Sequence, residues 1–259
     1  MARRQGPPIK RLSITGMRRF WPVLALLIAG LAVWAMQPRS TGPQAPIGLF
    51  TSLPILWNEA PDIAAQLNDT APPHWARAQL AERGRIVPLD TLAAQPLAGL
   101  TRLVIAQPRP LSPDENVALD AWVRGGGRLL LLADPALTQH SDFPIADPRR
   151  PQAVVLLSPI LKRWGLDLTF DESQPYGERT GPVMDVPVPY NLAGRWRIAG
   201  PGGGGAKCRV LGDGLAVTCA VGKGHVAALA DAAVLEPQDG DGTRRTALAA
   251  LLDAAFSGP

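Results

Sequence analysis

Two cysteines, three histidines and a few well-placed carboxylates are the side chains of this 259-residue chain from which chemistry could be built. Cys208 and Cys219 flank Gly212-Asp213-Gly214 in KCRVLGDGLAVTCA, which reads as a β-hairpin closed by an Asp-Gly turn. A two-residue turn at Asp213-Gly214 sets the cysteines opposite each other, with Cα atoms about 5 Å apart and a disulfide within reach. A bulged turn shifts that register by one residue, and two small buried thiols are then the alternative. His74 follows a Pro-Pro loop, His140 lies in a polar loop and His225 opens a strand. They are far apart and none has metal-ligand spacing, so each reads as structural or solvated. There is no GxSxG elbow for a catalytic serine. The glycine run at 202–205 lacks the Lys-Ser/Thr that a phosphate-binding loop requires. No cofactor, metal or nucleophile is expected from these patterns.

The elements that would position a site are clearer. Ile47–Thr51 reads as a first strand, Arg85–Leu89 as a second weakened by Pro88, and Thr101–Ala106 as a third. Pro61–Asn68 reads as a short helix. Ser112-Pro113-Asp114-Glu115 combines an N-cap serine, a proline in the first turn and a glutamate at the third position, the signature of a capping box. Gly125-Gly126-Gly127 stops that helix, and Arg128–Ala133 follows as an unbroken apolar strand of the kind buried on both faces. Strand, capped helix and strand in so short a span make a βαβ unit, and hence a parallel sheet. Leu157–Trp164 reads as a helix, Leu166–Phe170 and His225–Leu229 as strands, and Thr243–Phe256 as a closing helix. Residues 171–200 resist placement, although VPVPYNLAGRWRI has room for edge strands.

In an open parallel sheet, ligands lie beyond the carboxyl ends of the strands. Those ends offer Thr51 and Ser52, then Gln107, Asp134 and Asp231, and the loop after the first strand adds Trp57 and Glu59. This is a polar rim with one aromatic ring, suited to the hydroxyls or amides of a glycan or peptide. Capping of the following turns is the competing role for Asp134 and Asp231. If the two face each other, they also form the carboxylate pair that glycoside hydrolysis uses.

The first 36 residues carry six Arg and Lys and no acid. The uncharged run from Phe20 to Met36, 17 residues with Trp21 and Trp34 near its ends, covers roughly 26 Å as a helix and so reaches across a bilayer. The expected organisation is a basic cytoplasmic tail (1–19), a single membrane anchor (20–36) in contact with lipid, a linker (37–45) and an α/β domain (46–259) in the periplasm of a bacterium, beyond the inner membrane. A cleaved signal peptide is the alternative, set against bulky Trp34 and the long basic region. The chain holds 26 basic and 22 acidic residues, so without the six tail cations 20 stand against 22. The basic excess belongs to the tail, and no nucleic-acid partner is expected.

SPDENVALDAWVRGGGRLLLLADP resembles the helix, glycine stop and Asp-terminated strand of the class I glutamine amidotransferase-like fold. LSPILKRWGLDL and GKGHVAALADAAVL are similar to the helix-to-strand step and closing strand of one subgroup, the extracytoplasmic domain of gliding-motility-type ABC transporter auxiliary proteins and related bacterial domains of unknown function. The resemblance covers most of residues 46–256. It implies a three-layer α/β sandwich with a mostly parallel central sheet, flavodoxin-like in outline, carrying the late hairpin. Amidotransferases of this fold place a nucleophilic cysteine on a tight strand-to-helix turn, yet no cysteine precedes residue 208 here. The expected function is a non-catalytic, membrane-anchored periplasmic binding or auxiliary domain whose partner is a membrane protein such as a transporter subunit. The alternatives are a carboxylate-dependent hydrolase acting on glycan and a pure scaffold.

Overall fold

The computed structural model describes residues 45–60, 62–68, 70–200, 205–238 and 242–257. The expected tail and anchor, and the linker as far as residue 44, lie outside the described residues. Among the described residues, no helix is long and apolar enough to cross a membrane.

Seven strands form the central sheet. In spatial order they are Ile86–Pro88 (β2), Ile47–Thr51 (β1), Arg102–Ala106 (β3), Arg128–Leu132 (β4), Gly224–Leu229 (β11), Ala216–Val221 (β10) and Lys207–Leu211 (β9). The first five run parallel, and β10 and β9 add an antiparallel edge. Short β2, with its exposed Pro88, sits at the opposite edge, where a residue without an N–H is tolerated.

The helices are Ile63–Leu67 (α1), Trp75–Arg83 (α2), Ala94–Leu97 (α3), Pro113–Arg124 (α4), Ser158–Arg163 (α5) and Thr243–Ser257 (α6). Alternate residues of each inner strand enter two separate cores. Val104, Leu130, Leu132, Ala227 and Leu229 pack with Leu80 of α2 and Leu248, Leu251 and Leu252 of α6. Leu103, Ile105, Leu129, Leu131, Val226 and Ala228 pack with Leu119 and Val123 of α4 and Ile160 and Leu161 of α5. Helices thus cover both faces, which is why β4 reads RLLLL with no polar alternation. The expected three-layer arrangement around a mostly parallel sheet is what these contacts form.

The capping box at the start of α4 is present. The Ser112 hydroxyl accepts from the Glu115 N–H at 3.2 Å, and the Glu115 carboxylate accepts from the Ser112 N–H at 2.9 Å. Glu115 also accepts from the Thr91 hydroxyl and the Leu92 N–H, at 2.8 and 3.0 Å. The Arg109 guanidinium beside it holds the carboxyl far below the usual range for a glutamate. One side chain therefore caps a helix and fixes the loop after β2.

Helices α2 and α3 have no counterpart in the sequence reading, because each has only a few apolar positions. In α2 only Trp75, Ala76 and Leu80 are buried, and its cap is an unusual one: His74 Nδ1 accepts from the Ala76 N–H at 3.1 Å. The stretch 166–200 stays off the central sheet. Leu166–Thr169 (β5) pairs antiparallel with Arg195–Ile198 (β8), and Arg179–Val183 (β6) pairs with Val186–Tyr190 (β7). The expected strand at 166–170 is thus present, but in a separate ribbon.

The late hairpin has the expected register. Asp213 (φ 51°) and Gly214 (φ 93°) form the turn, and the Leu215 N–H donates to the Gly212 carbonyl at 2.9 Å. Cys208 faces Cys219, their Cα atoms are 4.0 Å apart, and the two form a disulfide. The bridge closes a short loop on an edge strand, so opening it frees unfolded-chain entropy. We predict that the Cys208→Ala/Cys219→Ala variant loses roughly 2–4 kcal/mol of unfolding free energy. Urea titration should show this loss, and reductant should lower the parent chain to the variant's midpoint and leave the variant unmoved.

Candidate functional site

Register in the sheet brings the strand ends together. Thr51 pairs with Ala106, and Ala106 with Leu132, which in turn pairs with Leu229. One residue beyond these pairs, Ser52 stands beside Gln107. Two residues beyond, Asp134 stands beside Asp231. Parallel neighbours are about 4.8 Å apart, so both pairings follow from register alone.

Gln107 is fully buried and holds a left-handed backbone, φ 43°, at the corner between β3 and the segment leading to α4. For a residue with a long side chain this is a strained conformation, sustained only by its surroundings. Both ends of its amide are engaged. Nε2 donates to the carbonyls of Asp134 (3.0 Å) and Gln152 (2.7 Å), and Oε1 accepts from the Asp134 N–H at 2.9 Å. The Ser52 hydroxyl donates to the Gln107 carbonyl and accepts from the Gln152 N–H. The Thr51 hydroxyl accepts from the Leu53 N–H at 2.9 Å.

Asp134 and Asp231 are 1% and 0% exposed. All four of their carboxyl oxygens accept backbone N–H groups: Ala136 and Ala232 bond Asp134, and Ala233 and Asn191 bond Asp231. Burial pushes the Asp134 carboxyl up to about 7, against the pull of its two N–H donors and with a further push from the Glu236 charge. Burial also raises Asp231 well above the ordinary aspartate range, and the adjacent Asp134 charge raises it again. Glu236 is held in turn by Arg244, which also pairs with Glu178.

Nearer β2, a cavity of about 330 Å³ opens beyond the strand ends. Thr51, Ser52, Trp57, Asp90, Arg109 and Arg150 are among the residues that line it. Trp57 packs on Phe143 with ring centroids 5.9 Å apart. Glu59 accepts from the Ser141 hydroxyl and the Asp142 N–H, at 2.9 and 2.7 Å. These two side chains hold the loop that delivers Arg149 and Arg150. Arg109 is paired with Glu115, and Arg149 with Asp147.

The seven sequence-predicted residues therefore divide. Thr51, Ser52 and Trp57 line the cavity, and Glu59 braces its wall. Gln107, Asp134 and Asp231 do not line it and are committed to backbone. Asp90, Arg109, Arg149 and Arg150 escaped the sequence reading. Asp90 and Arg109 lie just past the ends of β2 and β3, so the strand-end rule applied to β2, and two residues deeper, finds them. Nothing short of tertiary structure places Arg149 and Arg150. Chemically the cavity offers guanidinium donors, hydroxyls and one indole. No cluster of three or more metal-ligating side chains occurs among the described residues.

The chain belongs to the family described as a domain of unknown function, DUF4350, whose profile matches residues 73–251. No curated protein matches the sequence. Among solved structures, a ThuA-like protein from Bacteroides uniformis is 10% identical, with a TM-score of 0.47 over 85% of this chain and 93% of its own. A cytoplasmic protein from Salmonella typhimurium is 11% identical, with a TM-score of 0.44 over 80% of this chain and 97% of that one. An exo-beta-1,4-mannosidase from Opitutaceae bacterium strain TAV5 is 16% identical, with a TM-score of 0.45 over 85% of this chain. This chain spans 36% of the mannosidase's length.

The carboxyl pair sets a pH dependence. Asp134 has a folded-state value near 7 against 3.8 for the free side chain. It therefore binds a proton more tightly when folded, and its contribution to stability is complete below about pH 4 and is lost as pH rises through 7. Asp231 acts in the same direction. Burial lowers His74 and His225, which act in the opposite direction. Comparing the parent with Asp134→Asn at each pH removes the histidine contribution. The difference in unfolding free energy should shift in favour of the variant between pH 4 and pH 7, as read by chemical denaturation. A constant difference would refute the assignment.

Proposed function

We propose that residues 45–257 form a binding domain without catalytic chemistry of its own. In this reading residues 20–36 hold it on the outer face of a bacterial inner membrane, where it serves a membrane assembly such as a transporter. The observation that carries the proposal is the corner at Gln107. The amidotransferase-like fold presents a nucleophile on a strained strand-to-helix turn. Here the strained turn carries a buried carboxamide, which is not nucleophilic and has both ends bonded to backbone. The Cys208–Cys219 disulfide supports an oxidising compartment, and the basic, acid-free stretch before residue 20 supports the orientation.

The cavity lined by Thr51, Ser52 and Trp57 is the binding site in this reading, and it takes a glycan or peptide group. Hydrolysis of glycan by Asp134 and Asp231 is the competing proposal. Its support is their adjacency and raised protonation range. Against it stands the commitment of all four oxygens to backbone N–H groups, with neither carboxyl exposed.

A photo-crosslinking residue in place of Trp57 in the full-length chain should capture a transporter subunit from intact cells, and protease added to spheroplasts should degrade the domain. Retention of the whole domain after protease treatment would overturn the placement. Glycan hydrolysis by the purified full-length chain that disappears in both Asp134→Asn and Asp231→Asn would replace the binding reading with the hydrolase one.

A further inference from the structure

A second, larger cavity of about 580 Å³ lies on the β11 side of the buried carboxyl pair, between the β5–β8 ribbon, the β6–β7 ribbon and the β9–β10 turn. Arg179 of β6 and Arg195 and Arg197 of β8 line it, together with Phe170, Gln174 and Tyr190. None of the three arginines is ion-paired with a carboxylate among the described residues. In the first cavity, by contrast, Arg109 and Arg149 are already paired.

Two of these arginines are held in place by neutral groups. Arg179 lies over the Tyr190 ring, 5.1 Å from its centroid, and reaches Gln174 at 3.4 Å. Its Nε is buried with no hydrogen-bond partner among the described residues, a state that costs free energy until an acceptor arrives. Arg195 donates to the Asp213 carbonyl. Phe170 is 38% exposed, far more than a core ring. The walls also contain Asp171 and Asp213, so three cations face two carboxylates. Asp171 accepts from the hydroxyl and N–H of Ser173.

We propose that this cavity binds an acidic saccharide: a sugar ring bearing one carboxylate, with its apolar face on Phe170 and its carboxylate on Arg195 and Arg197. The charge excess of one matches a single carboxylate, whereas a doubly charged phosphate would meet the two wall carboxylates uncompensated. Planar guanidinium groups suit bidentate carboxylate binding. Gln174, Thr180 and Asp171 supply the donors and acceptors that sugar hydroxyls need, and the volume accommodates one or two rings. The proposal does not depend on the membrane anchor or on the first cavity.

Calorimetric titration of the full-length chain in detergent tests it, with a disaccharide of one galacturonate and one galactose, which carries a single carboxylate, as the probe. A galactose disaccharide and inorganic phosphate serve as comparisons. The galacturonate should bind, and the neutral disaccharide should bind at least about tenfold more weakly, as loss of a charge-assisted bond implies. Added salt should weaken binding. Arg195→Ala and Arg197→Ala should each weaken it by about tenfold, while Arg150→Ala in the first cavity leaves it unchanged. Arg197 is an exposed strand position, so its variant should keep the parent's urea midpoint. The proposal is overturned if galacturonate does not bind, if the neutral sugar or phosphate binds as tightly, or if Arg150→Ala causes the same loss. The probe comparisons decide the matter even if a variant misfolds.

Discussion

The buried pair of carboxyl groups at Asp134 and Asp231 is the constraint around which the strand-end face of this domain is built. Where parallel strands stop, the departing backbone leaves N–H groups without partners in a place that water does not reach. Four such groups, on Ala136, Ala232, Ala233 and Asn191, are satisfied by these two side chains. Burial raises both carboxyls above the ordinary aspartate range, and the Asp134 charge raises Asp231 further. The side-by-side placement of the two acids fixes three chain segments relative to one another. One runs on toward α5, one leads into α6, and one joins β7 to β8.

The two cavities lie on either side of this anchor and differ in how their cations are used. Toward β2, Glu115 and Asp147 already neutralise two arginines, so those side chains chiefly hold loops in place. Toward β9, the arginines rest on a tyrosine ring, a glutamine and a backbone carbonyl. None of these cancels a positive charge. An anion gains more from the second arrangement, because it displaces no existing ion pair. The corner at Gln107 is likewise structural. The strain of a left-handed glutamine is balanced by three hydrogen bonds that tie β3 to β4 and to the loop through Gln152. They close the top of the sheet.

The legible parts of the sequence share one property: their determinants are local. The Ser112–Glu115 box, the glycine stop after α4 and the apolar run of β4 lie within about 20 consecutive residues, and each needs only its neighbours in sequence to be recognised. The hairpin was legible because an Asp-Gly turn fixes register, and register fixes which residues face each other. Helix α2 was not legible, since its cap is a histidine and its buried face has three residues. The ribbons of 166–200 were only partly so, because prolines at 182, 187 and 189 exclude a central strand without saying where the edge strands go.

By itself, the sequence determined the parallel βαβ unit, the two-sided burial of β4, the late hairpin, and the set of polar residues at the strand ends, while the disulfide register stayed open between two turns. Tertiary structure alone decided which of those residues meet. Asp134 and Asp231 are 97 positions apart, and nothing between them says that β11 returns to lie beside β4 rather than at an edge. That choice depends on the whole pattern of core packing on both faces. It turned two separate strand-end acids into one buried, adjacent pair, and it left three arginines of β6 and β8 lining a common space with two acids.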